Sequence, residues 1–286
     1  MDLCTGGEVF FHLNRLKRFS EEQARFYFCE ILLGIEYLHG KNVVYRDIKP
    51  ENVLFDIDGH IRIADFGLTK VIPLRAKSHS FCGSPEYMSP EMLSGSGHDR
   101  KVDFYCLGAL LFEMLTGLPP FYCKDTKKMY HRILNDTLEV PEHLNPVVSN
   151  LIATLLKRDP NQRPNSVAEI KRHSWFKGVN WDDVLNKRIS PPIIPNVKEC
   201  NIDPDYTELP LNFEEDQHKV RLSTERRFSQ YYESTLQSKS VTEQSFYNMF
   251  FEKNESGSGV VNLLGGSSVK SGIFGASVQS EQSQQS

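Results

Sequence analysis

Val44-Tyr45-Arg46-Asp47-Ile48-Lys49-Pro50-Glu51-Asn52 is followed, 13 residues after Asn52, by Asp65-Phe66-Gly67. A carboxylate at Asp47 can orient a hydroxyl and accept its proton. Lys49, two residues on, can neutralise a migrating anionic group. Asn52 and Asp65 offer oxygen ligands of the kind magnesium takes. Phosphoryl transfer uses this set, because positioning and charge neutralisation supply nearly all of its catalysis. Either motif alone reads equally well as an Arg-Asp pair at a helix end or an unrelated Asp-Phe-Gly turn. Their order and spacing together argue for one site.

The flanking sequence supplies elements to hold such a site. Ser20 with Gln23 forms an S-x-x-Q capping box, and Ala24, Tyr27, Phe28, Ile31, Ile35 and Leu38 recur at helical spacing, with Gly40 as the expected stop. Two short apolar stretches, Asn52–Phe55 and His60–Ala64, flank Asp58-Gly59, the pair that favours a hairpin turn. Asp99–Thr116 is apolar nearly all round, which predicts a buried central helix ended by Gly117 and Pro119-Pro120. Further helical patterns lie near Lys124–Asn135, Pro146–Lys157 and Ser166–His173. The first 175 or so residues are thus read as helix-rich with one small hairpin.

Beyond Trp181 the composition turns polar, with Pro191-Pro192 and Pro195 marking an extended segment. The last 33 residues hold 9 Ser, 6 Gly and 4 Gln, too little apolar surface to offset ordering entropy, so disorder is expected there. Lysine and arginine number 33 against 37 acids, a net charge of −4, which argues against a strongly basic nucleic-acid binder. No run of 18 apolar residues occurs; Cys106–Leu115, the longest apolar segment, contains Glu113, so no membrane span is expected. The opening residues lack a basic region followed by an apolar core, so no signal peptide is read. Six dispersed cysteines without a C-x-x-C pair point to reduced thiols in the cytoplasm rather than disulfides or zinc.

The decisive stretch resembles the large lobe of eukaryotic protein kinases. The resemblance continues through Gly83-Ser84-Pro85-Glu86-Tyr87, Ser89-Pro90-Glu91, Asp103-Phe104-Tyr105-Cys106-Leu107-Gly108 and Arg163. It implies that Glu91 pairs with Arg163 and that Asp103 braces the catalytic-loop backbone. Lys49 within D-I-K-P-E-N is the Ser/Thr-kinase pattern, and Tyr45 stands where the family usually has histidine. Ser80-Phe81-Cys82-Gly83-Ser84-Pro85-Glu86 resembles the activation segment of AGC kinases. Asn201-Ile202-Asp203-Pro204-Asp205-Tyr206-Thr207 is similar to their tail tether, most like that of protein kinase B and the serum- and glucocorticoid-regulated kinases. Ile202 departs from the aromatic usual near the adenine.

The implied fold is mainly α: a kinase-like large lobe with a small β-hairpin at residues 1–178, an AGC-type C-terminal tail at 179–253 and a disordered Ser/Gly/Gln-rich tail at 254–286. The implied cofactors are ATP and Mg2+. Asp47 and Lys49 would be catalytic, and Asn52 and Asp65 would hold the metal. Met1–Glu8 resembles the hinge between kinase lobes, so that Asp2 and Cys4 would present backbone groups to adenine, Leu54 its floor, and Glu8 a contact to ribose or to a substrate arginine. By that match the sequence opens at the hinge. It contains no Gly-rich phosphate loop, lysine strand or glutamate helix, and expressed as written it is expected to show little transferase activity.

The resemblance also implies an activating phosphate on Ser80, gripped by Arg46 and Lys70 and added by an upstream kinase. Glu8, Glu51, Glu113 and Ser84 would face an arginine-rich protein substrate. Phe228–Tyr232 and Tyr247–Phe251 are rival candidates for a hydrophobic motif, and Ser229, after Arg226-Arg227-Phe228, for an autophosphorylation site. Two readings stay open: a Ser/Thr kinase of AGC type, or a non-catalytic kinase-like module that binds proteins. Retention of Asp47, Lys49, Asn52 and Asp65 favours the first.

Overall fold

The computed structural model of the chain describes residues 4–196 and 201. After a turn in which Gly7 N–H reaches Cys4 O, helix α1 spans Val9–Leu16 and buries Val9, His12 and Leu13. Helix α2, Glu21–Gly40, begins at the expected capping box: Ser20 Oγ accepts from Gln23 N–H, and Gln23 Oε1 accepts from Ser20 N–H. Its buried face carries Ala24, Tyr27, Phe28, Ile31, Leu32 and Ile35. The helix ends at Gly40 as expected, although the left-handed turn falls two residues later, on Asn42 at φ 58°. Asparagine tolerates that conformation better than most side chains, and the Asn42 carbonyl accepts from Ile72 N–H at 2.8 Å.

Strand β1 (Val43–Val44) pairs antiparallel with β4 (Lys70–Val71), and β2 (Val53–Phe55) with β3 (Ile61–Ile63) in the register Val53↔Ile63, Leu54↔Arg62, Phe55↔Ile61. The second pair is the expected hairpin, without Asn52, His60 and Ala64; Asn52 closes a 3₁₀ turn at Pro50–Asn52 instead of entering the strand. Asp56 shapes the loop, its Oδ1 accepting from Asp58 N–H and His60 N–H.

Helix α3, Pro90–Leu93, leads to α4, Lys101–Thr116, in which every residue from Val102 to Leu115 is buried. Such a helix must be central, and α4 packs against α2 on one side and α6, Pro146–Leu155, on another. Gly117 ends it in the left-handed conformation, φ 89°, and a Cβ there would lie 2.3 Å from Lys17 O. Between them, α5 spans Thr126–Asn135; it starts after the expected Lys124 because Asp125 caps it, accepting from Lys127 and Lys128 N–H. Helices α7 (Val167–Lys171) and α8 (Trp181–Leu185) are capped by Ser166 and Asn180.

The segment beyond α8 returns across the hairpin. Lys187 Nζ lies 3.0 Å from Asp56 Oδ2, and Ile193 N–H donates to Tyr27 Oη at 3.1 Å. Asn201 is buried and donates to Thr5 O at 3.1 Å. The domain is mostly helical, and no helix of the described residues is long and apolar enough to cross a membrane. Asp2, the tail motif past Asn201, both hydrophobic-motif candidates, Ser229 and the segment 254–286 lie outside the described residues.

Candidate active site

The backbone at Tyr45 and Arg46 hangs from one buried carboxylate. Asp103, fully buried on α4, accepts from Arg46 N–H at 2.7 Å through Oδ1; its Oδ2 accepts from Tyr45 N–H at 2.9 Å and meets His39 Nε2 at 2.7 Å. These bonds hold Arg46 at φ 72°, a conformation that costs a side-chain-bearing residue on the order of 1–3 kcal/mol. Two charge-assisted hydrogen bonds offset that cost. The consequence is positional: with Arg46 turned back, Asp47 is presented at the end of the loop.

Asp47 is 6% exposed and all of its contacts are donors. Oδ2 accepts from Asn52 Nδ2 at 2.8 Å, and Oδ1 accepts from Ser84 N–H and Ser84 Oγ, each at 3.1 Å. Lys49 Nζ donates to Ser84 Oγ at 2.8 Å and stands 3.5 Å from Asp47 Oδ2. One serine hydroxyl therefore joins carboxylate and ammonium across a separation of 37 residues. Gly83 makes this approach possible: its φ is 103°, and a Cβ would meet Arg46 O at 3.0 Å.

Asn52 and Asp65 come to the same end of the hairpin, because Asn52 O accepts from Ala64 N–H at 2.9 Å. Asn52 Nδ2 also donates to Asp47 O at 2.9 Å, so the amide nitrogen is committed to Asp47 and the amide oxygen points away from it. Asp65 is exposed, at φ 51°, with Oδ1 accepting from Gly67 N–H. The Tyr45 hydroxyl donates to Ala64 O, and its ring meets Phe66 edge-on at 5.6 Å, so the residue before Arg46 also anchors Asp65-Phe66-Gly67. One amide oxygen and one carboxylate form an all-oxygen donor pair, which suits magnesium completed by phosphate and water oxygens. No group of three His, Cys, Asp or Glu among the described residues forms a metal site on its own.

Three glutamates cluster nearby. Glu113 is buried on α4, and its Oε2 accepts from the Tyr87 hydroxyl. Burial raises its pKa to about 7, against which the Tyr87 bond acts, while Glu51 and Glu86 add to the rise. Burial likewise raises Glu51, whose Oε2 is buried without a partner. On the other flank Glu8 bridges Leu54 strand-fashion, and Cys4 is partly exposed.

In the segment after β4, Lys70 Nζ donates to Ser78 Oγ at 3.1 Å and Ser80 Oγ at 3.4 Å. Arg46 Nε donates to Leu68 O at 2.7 Å, while its Nη1 is buried without a partner. His39, Ser78 and His98 were not singled out from the sequence, and Tyr87 only as the end of a longer motif. Each acts through a contact distant along the chain, and none sits in a motif of its own. Tyr45 carried a signal, as a departure at the histidine position.

The family model for the protein kinase domain matches residues 1–176. The chain is 47% identical over 219 residues to the serine/threonine-protein kinase Sgk1 of Xenopus tropicalis, covering 74% of this chain and 52% of that protein. It is 46% identical over 216 residues to human serine/threonine-protein kinase Sgk2, covering 73% and 59%. The RAC family serine/threonine-protein kinase homolog of Dictyostelium discoideum is 44% identical over 214 residues, covering 73% and 48%. The chain spans about half the length of the curated relatives it matches. With the loop geometry and this match together, the chain belongs to the protein kinase domain family, and within it resembles the AGC Ser/Thr kinases of the Sgk and protein kinase B type.

Proposed function

We propose that the chain carries the large-lobe half of an AGC-type kinase, residues 1–178 followed by its C-terminal tail, which transfers phosphate from ATP to serine or threonine in proteins within the cytoplasm. The observation that carries the reading is the Ser84 hydroxyl held between Asp47 and Lys49. A substrate hydroxyl arriving there meets an acceptor-only carboxylate and a cation within one hydrogen-bond network. Asp47 orients that hydroxyl and takes its proton. Lys49 neutralises charge on the moving group, and Ser84 keeps the two in register. Asn52 and Asp65 hold magnesium, which when bound neutralises the phosphate oxygens. Cys4 would offer a backbone group to adenine, with Leu54 as its floor and Glu8 at the ribose. The test is radiolabelled transfer from ATP to an arginine-rich serine peptide by the natural gene product carrying these residues. Transfer that vanishes in Asp47→Asn supports the reading; transfer unaffected by that change overturns it.

Glu8, Glu51 and Glu113 supply the preference for arginine upstream of the acceptor. The Glu113 carboxyl, with its pKa raised to about 7, is largely protonated at pH 6 and ionised at pH 8. A guanidinium binds the ionised form, so KM for an arginine-bearing peptide should fall several-fold from pH 6 to pH 8, more than for its alanine counterpart. Glu113→Gln should flatten that difference. Equal profiles for both peptides in the unaltered protein would remove Glu113 from substrate recognition.

Ser80 receives the activating phosphate from an upstream kinase, with Lys70 already within reach and the unpartnered Nη1 of Arg46 as the second donor. A phosphate of about −1.5 to −2 charge forms charge-assisted bonds to both and orders the segment. Ser80→Ala should cut activity of the phosphorylated enzyme at least tenfold. Activity equal to that of the phosphorylated form would place regulation elsewhere.

A further inference from the structure

His98 lies in the loop before α4, 2% exposed, and its Nε2 is buried without a partner. Its backbone is paired with Ser78: Ser78 N–H donates to His98 O and His98 N–H to Ser78 O, both at 2.8 Å. Residues that exchange both bonds in an antiparallel pair project their side chains to the same face. On that face the Ser78 hydroxyl meets Lys70 Nζ at 3.1 Å and Ser80 Oγ at 3.1 Å. The imidazole therefore leaves the pair on the face that carries the Ser78 hydroxyl, which in turn meets Ser80 Oγ.

The charges around it are incomplete. Arg46 from the catalytic loop, Lys70 from β4 and His79 from the same segment disfavour a proton on His98, and Asp103 from α4 favours one. Asp103 is already committed to two backbone N–H groups and His39. Burial, the largest cause, together with the two cations lowers the His98 pKa to about 4. Two polar groups, His98 Nε2 and Arg46 Nη1, thus remain buried and unpartnered, and Arg46 and Lys70, the latter bonded to Ser80 Oγ, both act electrostatically on His98. Native interiors rarely leave such groups unmatched. An anion at Ser80 would offer an acceptor to such groups and would oppose the cationic field that, with burial, keeps the imidazole neutral.

We propose that His98 is a pH-dependent positioning residue of the phosphate pocket, taking up a proton when Ser80 is phosphorylated and donating from Nε2 to the phosphate beside Lys70, Ser78 and Arg46. The inference rests on Ser80 as the phosphate acceptor. Without phosphate the folded state binds the His98 proton less readily than the unfolded state does. Acid therefore destabilises the unphosphorylated chain as pH falls from 6.5 towards 4. With phosphate in place the folded state holds that proton, and the loss is removed. Activation would thereby be more robust on the acid side of neutrality.

The experiment installs phosphoserine at position 80 of the full chain by genetic-code expansion and follows its second ionisation by phosphorus NMR. A free phosphoserine titrates near a pKa of about 6. The midpoint in the chain should lie at least about one pH unit below that of the same phosphoserine in a peptide of residues 77–83, and His98→Phe should recover a large part of the difference. A chain midpoint equal to the peptide's would overturn both the Ser80 reading and the role of His98. A depressed midpoint identical in His98→Phe, but restored by Lys70→Met, would retain the Ser80 grip and eliminate His98. Should His98→Phe not fold, the unaltered phosphorylated chain answers alone. Its His98 ring carbon, assigned with His98→Gln, should titrate more than about one unit higher than in the unphosphorylated chain, and an unmoved titration overturns the proposal.

Discussion

Asp47→Asn is expected to lower kcat by about a thousandfold, within the range removed with a positioned proton acceptor, while magnesium-nucleotide affinity stays near that of the unaltered enzyme. The structure explains why so small a change is severe. Both oxygens of Asp47 accept, one from Asn52 Nδ2 and the other from Ser84 N–H and Oγ. An asparagine must place its NH2 group against one of these donors in either orientation. The variant therefore loses the proton acceptor and also loosens either Asn52 or Ser84. Turning the amide toward Ser84 leaves Ser84 N–H and Oγ–H without their acceptor and loosens the serine that holds Lys49. Turning it toward Asn52 disturbs the residue proposed to hold magnesium. Steady-state kinetics with a nucleotide-binding titration separate the outcomes: kcat down with affinity kept means the amide faces Ser84. Both down means that it faces Asn52. Unchanged kcat would show that Asp47 touches no reacting proton.

The parts of the fold that were readable from sequence are those in which a local signal and a tertiary one agree. The α2 start combines a capping box with an apolar stripe running from Ala24 to Leu38, and α4 is apolar on every side because it is buried on every side. Helix α1 was missed because Glu8 makes no side-chain cap and Lys17 ends it at φ 68° with no glycine to mark the stop. The pairing of β1 with β4 was missed because two residues on each strand show no periodicity. The site divides the same way. Asp47, Lys49, Asn52 and Asp65 are spaced by a fixed loop and hairpin, so order along the chain carries their proximity. Ser84 against Asp47 and Tyr87 beneath Glu113 are contacts across 37 and 26 residues, and they exist only once the segment after β4 has folded back. Asp56 shows how local and distant roles merge. Its Oδ1 shapes the hairpin turn while Oδ2 pairs with Lys187, and those hydrogen bonds lower its pKa even though burial alone would raise it.

Arg163→Met is expected to cost about 3–5 kcal/mol, the range for stripping one partner from a buried ion pair. Against a total stability on the order of 5–15 kcal/mol, that leaves a domain marginal at best. The guanidinium is wholly buried, with Nη1 2.6 Å from Glu91 Oε1 and Nη2 2.7 Å from Glu91 Oε2. It also donates to the carbonyls of Lys157, Arg158 and Lys101, and lies 5.1 Å over the Tyr105 ring. Methionine fills much of the volume but satisfies none of these groups, so a carboxylate on α3 is left buried without its cation and three carbonyls each lose a donor. Removing the stranded charge should return part of the loss. Glu91→Leu combined with Arg163→Met is therefore expected to unfold at a higher urea concentration than Arg163→Met alone, although two changes have been made. A single variant that loses less than about 1 kcal/mol would mean that Arg163 is solvated, as surface ion pairs are. A double variant less stable than the single would mean that the carbonyls, not the carboxylate, dominate the cost. Arg163 ties α3, through Glu91, to the first residue of α4, through Lys101 O, next to the loop carrying His98. Loosening it should blunt the effect of phosphate at Ser80 as well as lower stability.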